Sequence, residues 1–223
     1  MMNVLIDTNK LSKYYGKGEI KAVDNLDLRV YEGETFGLLG PNGAGKTTTV
    51  NLLNCIIKPT SGTASVNGCD ILTKDMEVKR ATGLLAESPG LYEKLSAYEF
   101  LEFMGGLYDV PGDILPERID NLLKLFGLHD RRDYLLEGYS RGMKQKILLA
   151  AALIHDPPIL FLDEPTAGMN PEELVQMMQI IRQVHKEFGV AIFLIEHRMK
   201  VVMELCERIQ TLVFGEVIAE GTP

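Results

Sequence analysis

A single octet, Gly40-Pro41-Asn42-Gly43-Ala44-Gly45-Lys46-Thr47, narrows the architecture of this chain to a small set. It fits the pattern G-x-x-x-x-G-K-[ST] at every fixed position. Glycines let the backbone turn tightly and aim its N–H groups inward, as a nest for phosphate oxygens. In such a loop Lys46 reaches the β- and γ-phosphates of a nucleotide, and the Thr47 hydroxyl takes a position on Mg²⁺. The flanks fit as well. Phe36-Gly37-Leu38-Leu39 reads as a short buried strand. Thr48-Thr49-Val50-Asn51-Leu52-Leu53 opens a helix whose N-terminal dipole favours an anion. The plain alternative, a glycine-rich turn with a surface lysine, leaves both flanks without a role.

The rest of the chain builds around that unit. Period-two alternation in Leu26-Asp27-Leu28-Arg29-Val30 predicts a half-buried antiparallel strand. Asn67-Gly68 predicts a hairpin turn. From about 93 to 150 the pattern is helical. Ser96-Ala97-Tyr98-Glu99 has capping-box form. Pro116 starts a second helix that stops at Gly127, and residues 148–154 continue a third. Strands and helices then alternate: strand 159–162, helix 171–188, strand 190–195, and a helix from about Met199. Such alternation calls for a parallel sheet with crossover helices. The predicted fold is α/β: a P-loop NTPase core with a mainly parallel sheet, an N-terminal antiparallel β subdomain and an inserted helical subdomain at about 88–150. All of it forms one domain over residues 1–223.

Bulk properties exclude several classes. A net charge of −8 argues against a nucleic-acid partner, whose footprint would be a basic excess. Cys55, Cys69 and Cys206 are widely spaced, which fits reduced thiols in a cytosolic protein and neither a disulfide framework nor a zinc site. No apolar run approaches the roughly 18 residues that span a bilayer. The N-terminus carries Asp7 early and lacks a basic segment, so it does not read as a signal peptide. Membrane association would therefore run through a partner.

Two further constellations bear on chemistry. Ile159-Leu160-Phe161-Leu162-Asp163-Glu164 is an apolar strand ending in two acids. Ligands of α/β sheets bind at the carboxyl ends of strands, so both acids fall on the phosphate-loop edge. One suits Mg²⁺ and the next suits a water to be activated. His197 follows the strand 190–195 onto the same edge, where an imidazole serves either a γ-phosphate or a helix cap.

With these in place, the chain resembles the nucleotide-binding subunit of an ABC transporter over essentially its whole length. Residues 40–48 resemble the Walker A motif, from Gly40 through Thr48. Tyr139-Ser140-Arg141-Gly142-Met143 resembles the signature motif, more usually Leu-Ser-Gly-Gly-Gln. Asp163 and Glu164 resemble the Walker B pair, Thr166-Ala167-Gly168-Met169-Asn170 the D-loop, and His197 the switch histidine. Tyr15 matches the aromatic that stacks on adenine, with Tyr14 the other candidate. Glu87 stands where the family has its switch glutamine, and a carboxylate there still contacts Mg²⁺ or its water. Arg141 and Met143 replace the usual Gly and Gln, while Ser140 and Gly142 are retained. Asn170 replaces the commoner Asp, and before Pro171 it also reads as an N-cap. Residues up to about 160 look like ATPases that pair with ABC-2 permeases. Residues 168–223 look more like those of branched-chain amino-acid importers, and the chain ends at Pro223 where many relatives continue.

The resemblance implies ATP and Mg²⁺ as cofactors, with Glu164, His197 and Lys46 catalytic and Thr47, Glu87 and Asp163 at the metal. It implies a head-to-tail homodimer, or a paired ATP-binding subunit, in which Ser140 and Gly142 face the partner's ATP. It also implies transmembrane permease subunits docked near 87–92, no nucleic acid, and a peripheral place on the cytoplasmic face of the membrane. The competing readings are a non-transport ABC ATPase, and a non-hydrolytic ATP-binding regulatory module.

Overall fold

The computed structural model describes residues 3–87 and 90–223. Its strands are β1 (Val4–Tyr15), β2 (Ile20–Leu26), β3 (Arg29–Tyr31), β4 (Thr35–Leu39), β5 (Ser61–Val66), β6 (Cys69–Asp70), β7 (Thr82–Leu85), β8 (Ile159–Asp163), β9 (Ala191–Ile195), β10 (Arg208–Val213) and β11 (Glu216–Gly221). Its helices are α1 (Lys46–Leu53), α2 (Asp75–Arg80), α3 (Ala97–Leu107), α4 (Leu115–Leu125), α5 (Arg141–Leu153), α6 (Pro171–Phe188) and α7 (Met199–Leu205).

The larger sheet runs β11-β10-β4-β9-β8-β7 and is parallel from β10 to β7. Only β11 returns antiparallel. Every residue of β8 and β9 is buried, as central strands covered on both faces must be. Their period of two divides them between two cores. Ile159, Phe161, Ala191, Phe193 and Ile195 join α1 and the N-terminal sheet. Leu160, Leu162, Ile192 and Leu194 join α3 to α7. Phe36, Phe161 and Phe193 meet at the centre of the first core, with ring centroids 5.3 and 5.2 Å apart.

The N-terminal sheet is antiparallel around β1, which pairs with β2, β3 and β5. Here the run 26–30 departs from the single strand expected. Leu26 ends β2 and Arg29 begins β3. Thr8 on β1 bridges the break: its hydroxyl donates to the Leu26 carbonyl at 2.8 Å, and its N–H to the Leu28 carbonyl at 3.0 Å. The alternating burial survives because both pieces pair with the same strand. Asn67 and Gly68 take the φ values +49° and +73° that a tight hairpin needs.

In the helical lobe, Ser96 and Glu99 form the reciprocal capping box at the start of α3. Helix α5 begins at Arg141, seven residues before the expected 148, with Ser140 as its N-cap accepting from the Met143 N–H at 3.2 Å. The polar residues Lys144, Gln145 and Lys146 interrupt the apolar period that marks its second half. Helix α6 carries the cap expected of it: Asn170 Oδ1 accepts from the Glu172 and Glu173 N–H groups at 3.0 and 2.9 Å.

Candidate active site

Between β4 and α1 the chain turns through residues 40–45, and two of its glycines are obligatory. Gly40 and Gly45 have φ of +148° and +106°. A Cβ on Gly40 would sit 2.1 Å from the Leu212 carbonyl oxygen, and one on Gly45 2.0 Å from that of Ala22. The loop is thus wedged between β10 and β2. Ala44 is fixed there too, its carbonyl accepting from the Gly215 N–H at 2.9 Å. The Lys46 side chain is buried, and its Nζ donates to the Gly40 and Pro41 carbonyls at 2.9 and 3.0 Å. Burial lowers its pKa, while the carboxylates of Glu164, Asp163 and Glu87 act to raise it. An ammonium held by two neutral carbonyls keeps its charge for an incoming polyphosphate.

Register brings the acids to the same edge. Asp163 pairs with Ile195, so β8 and β9 end side by side. Asp163 is 2% exposed and its Oδ1 has no hydrogen-bond partner. Burial pushes its pKa up to about 6, with Thr47 opposing that rise and Glu87 and Glu164 adding to it. A buried, unsatisfied carboxylate oxygen is a fit for a hard cation. Among the described residues no group of three or more His, Cys, Asp and Glu forms a protein-only metal cage. A cation here would draw its other ligands from the nucleotide and water, as Mg²⁺ does.

Glu164 stands at φ +53°, a strained value for a residue with a side chain. Its Oε1 lies 2.6 Å from His197 Nε2. Ala22, Asn42, Gly43, Gly45, Lys46, Thr47, Thr48, Glu87, Glu164 and His197 line one open cavity of about 360 Å³. All but Ala22 were singled out in the sequence. Ala22 carries no local signal and arrives only because β2 lies under the loop. A larger cleft of about 590 Å³, between α4 and the end of α6, is lined by Glu117, Asp156 and Glu187 but has no phosphate loop and no lysine or histidine beside those acids.

The two tyrosines are distinguished by their partners. The Tyr14 hydroxyl donates to Asp24 Oδ1 at 2.6 Å. Tyr15, the last residue of β1, presents a 42% exposed ring with Lys13 Nζ 5.2 Å from its centre. Tyr15 is thus the more exposed of the two rings, although it does not line the phosphate cavity.

Ser140 and Gly142 are not brought to the phosphate loop. They line a separate cavity of about 70 Å³ with Met143, Lys146, Met169 and Glu173. Arg141 lies over Gly168, where a Cβ would come 2.2 Å from its Nη1. Ser88 and Pro89, in the segment expected to dock a permease, lie outside the described residues. Glu196 carries no catalytic motif in the sequence, yet it is 4% exposed and accepts four hydrogen bonds at this edge.

The family profile described as ABC transporter matches residues 23–167. This chain belongs to the ABC transporter family. An ABC transporter ATP-binding protein of Nostoc sp. is 40% identical over 225 residues, covering 98% of this chain and 66% of that protein. The methionine import ATP-binding protein MetN 2 of Bacillus cereus is 35% identical over 223 residues, covering 97% of this chain and again 66% of the relative. The chain thus spans just under two thirds of the length of these ABC relatives. Among solved structures, cbiO1 of Clostridium perfringens, part of the ABC transporter complex cbiONQ, superposes with TM-score 0.90 at 28% identity, covering 99% of this chain and 89% of that one. A dimeric ATP-binding cassette in a post-hydrolysis state, bound to ADP and Pi, superposes with TM-score 0.85 at 28% identity, covering 97% and 98%. The ABC cassette fold is that of an α/β P-loop NTPase. Among the described residues no helix is long and apolar enough to cross a membrane.

Proposed function

We propose that this chain is the ATP-binding and ATP-hydrolysing motor subunit of an ABC transporter, forming one ATP-binding domain over residues 1–223. The observation that carries the reading is the contact of Glu164 with His197 at 2.6 Å, on the rim of the cavity that Lys46 enters. Residues 40–48 hold the phosphates of ATP, and Tyr15 stacks on its adenine. Thr47, Glu87 and Asp163 are the residues that would hold Mg²⁺, which supplies charge neutralisation between the phosphates. Glu164 positions the attacking water and accepts its proton. His197, in contact with Glu164, orients that carboxylate and faces the γ-phosphate. This pairing favours hydrolysis over a purely ATP-binding regulatory module.

One subunit holds half of the site. Ser140 and Gly142 open α5 on a surface away from the phosphate loop, which suits them to a second subunit's ATP. A two-fold, head-to-tail dimer buries two nucleotides and pairs each loop with the partner's signature segment. The dimeric cassette bound to ADP and Pi is precedent for this arrangement. ATP binds the closed dimer better than the open one, and loss of the γ-phosphate lets it open. The motor then works on transmembrane permease subunits from the cytoplasmic face of the membrane. The apolar surface beside the lobe supports such docking: Tyr92 is 59% exposed and Phe103 41%, their rings edge to face at 5.3 Å.

Substitution Glu164→Gln is expected to keep ATP binding, abolish steady-state hydrolysis and accumulate an ATP-bound dimer in size-exclusion chromatography. Hydrolysis at the wild-type rate would overturn the assignment.

A further inference from the structure

We infer that Glu196 is a positioning residue of the hydrolytic site, locking the loop that carries Glu164 to the turn that carries His197. The inference rests on the proposed role of that pair. Each carboxylate oxygen holds one side. Oε1 accepts from the Thr166 N–H at 3.1 Å and from the Thr166 hydroxyl. Oε2 accepts from the N–H groups of His197 and Arg198 at 3.1 and 3.3 Å. The carboxylate is 4% exposed, so all four bonds act away from water and leaving any donor unmet is costly.

The lock sits where the sheet stops holding these segments. The register of β8 and β9 ends at Asp163 and Ile195, followed by one bond from the Glu164 N–H to the Ile195 carbonyl at 3.0 Å. Beyond it the loop 164–170 and the turn 196–198 are joined through Glu196, with a second strap from Arg198 Nη2 to the Met169 carbonyl at 3.1 Å. Glu164 holds a strained φ of +53°, and such a conformation persists only when its surroundings over-determine it. Anchoring Thr166 two residues downstream supplies that constraint. Releasing it lets Glu164 relax and lengthens its 2.6 Å contact with His197.

The chemistry needs a carboxylate. Four donors converge on two oxygens, and a glutamine would turn its NH₂ toward one donor pair in either orientation. Glu196→Gln therefore breaks the lock without changing volume. Thr166→Val removes one donor at the other end, and Thr166→Ser keeps it. The phosphate loop shares none of these bonds, so nucleotide affinity is insulated from all three changes.

The test uses the full chain, with steady-state ATP hydrolysis and calorimetric ATP affinity on each variant. Glu196→Gln and Thr166→Val are expected to lower kcat about tenfold or more while affinity stays within about twofold. Thr166→Ser is expected to retain most of the wild-type kcat. The double variant is expected to be no worse than the worse single one, because both cut the same link. Unchanged kcat, affinity falling in parallel with kcat, or failure of serine to rescue would each overturn the inference. If Glu196→Gln does not fold, the Thr166 pair decides alone. Glu164→Gln serves as control. Full activity there overturns the hydrolytic reading and this inference with it. An inactive control beside fully active Glu196→Gln and Thr166→Val overturns this inference only.

Discussion

Lys46 shows how a residue's role follows from its surroundings. Two loop carbonyls hold its ammonium, and three carboxylates lie near enough to bias its charge. Lys46→Ala is expected to weaken ATP binding by at least about tenfold by calorimetry, since charge-assisted bonds to phosphate are among the stronger ones. Unchanged affinity would remove the basis of the phosphate-site reading. Gly45→Ala is expected to lower the melting temperature, because its Cβ would meet the Ala22 carbonyl at 2.0 Å in a backbone conformation that strains alanine. Both residues were legible in the sequence because their chemistry is local: a φ that only glycine adopts freely, and a cation at fixed spacing from it. Ala22 and Glu196 were not. Their roles come from β2 and from the loop at 164–170, and nothing in their own neighbourhoods announces those contacts.

At the scale of elements, capping and pairing explain both what was readable and what was not. The start of α6 is legible in the sequence because Asn170 and Pro171 mark it chemically, and in the structure Gly189 closes the helix in the left-handed conformation. Asn170→Ala is expected to lower stability by about 1 kcal/mol in thermal melts, with Asn170→Asp close to wild type. The start of α5 is hidden in the sequence because Lys144, Gln145 and Lys146 interrupt its apolar period and its cap, Ser140, sits inside a motif that also suits a ligand. The run 26–30 reads as one strand because alternation records burial and is blind to a break between two strands that pair with the same β1. The junction of α5 and β8 holds a half-buried histidine. His155 stacks on Tyr108 at 3.7 Å, its Nε2 is 3.1 Å from the Thr82 carbonyl, and its Nδ1 has no partner. Burial pushes its pKa from 6.5 down to about 4, against a smaller upward pull from the Thr82 bond. The unfolded chain therefore binds more protons between those values. The stability of the neutral form is complete above pH 6.5 and lost as pH falls toward 4. Melting temperature should drop across that window, and His155→Gln should flatten the drop. An unchanged slope in the variant would assign the acid sensitivity to other groups.

For the whole molecule, the separation of two surfaces matters most. The phosphate loop, Asp163, Glu164 and His197 share one edge, while Ser140 and Gly142 line a different cavity. Sequence spacing gave the order of these motifs and the fold that carries them. It could not place one surface relative to the other, because that depends on how the helical lobe rests on β7 and β8. A lone subunit should hydrolyse ATP poorly, with activity rising more steeply than linearly in protein concentration. The most direct test mixes two inactive variants, Lys46→Ala and Ser140→Ala. Each homodimer carries a defect in both sites, whereas the mixed dimer carries one fully intact site. An equimolar mixture is expected to recover about a quarter of the wild-type rate, half of the dimers being mixed and each having one working site of two. A mixture no more active than its separate components would contradict the composite site.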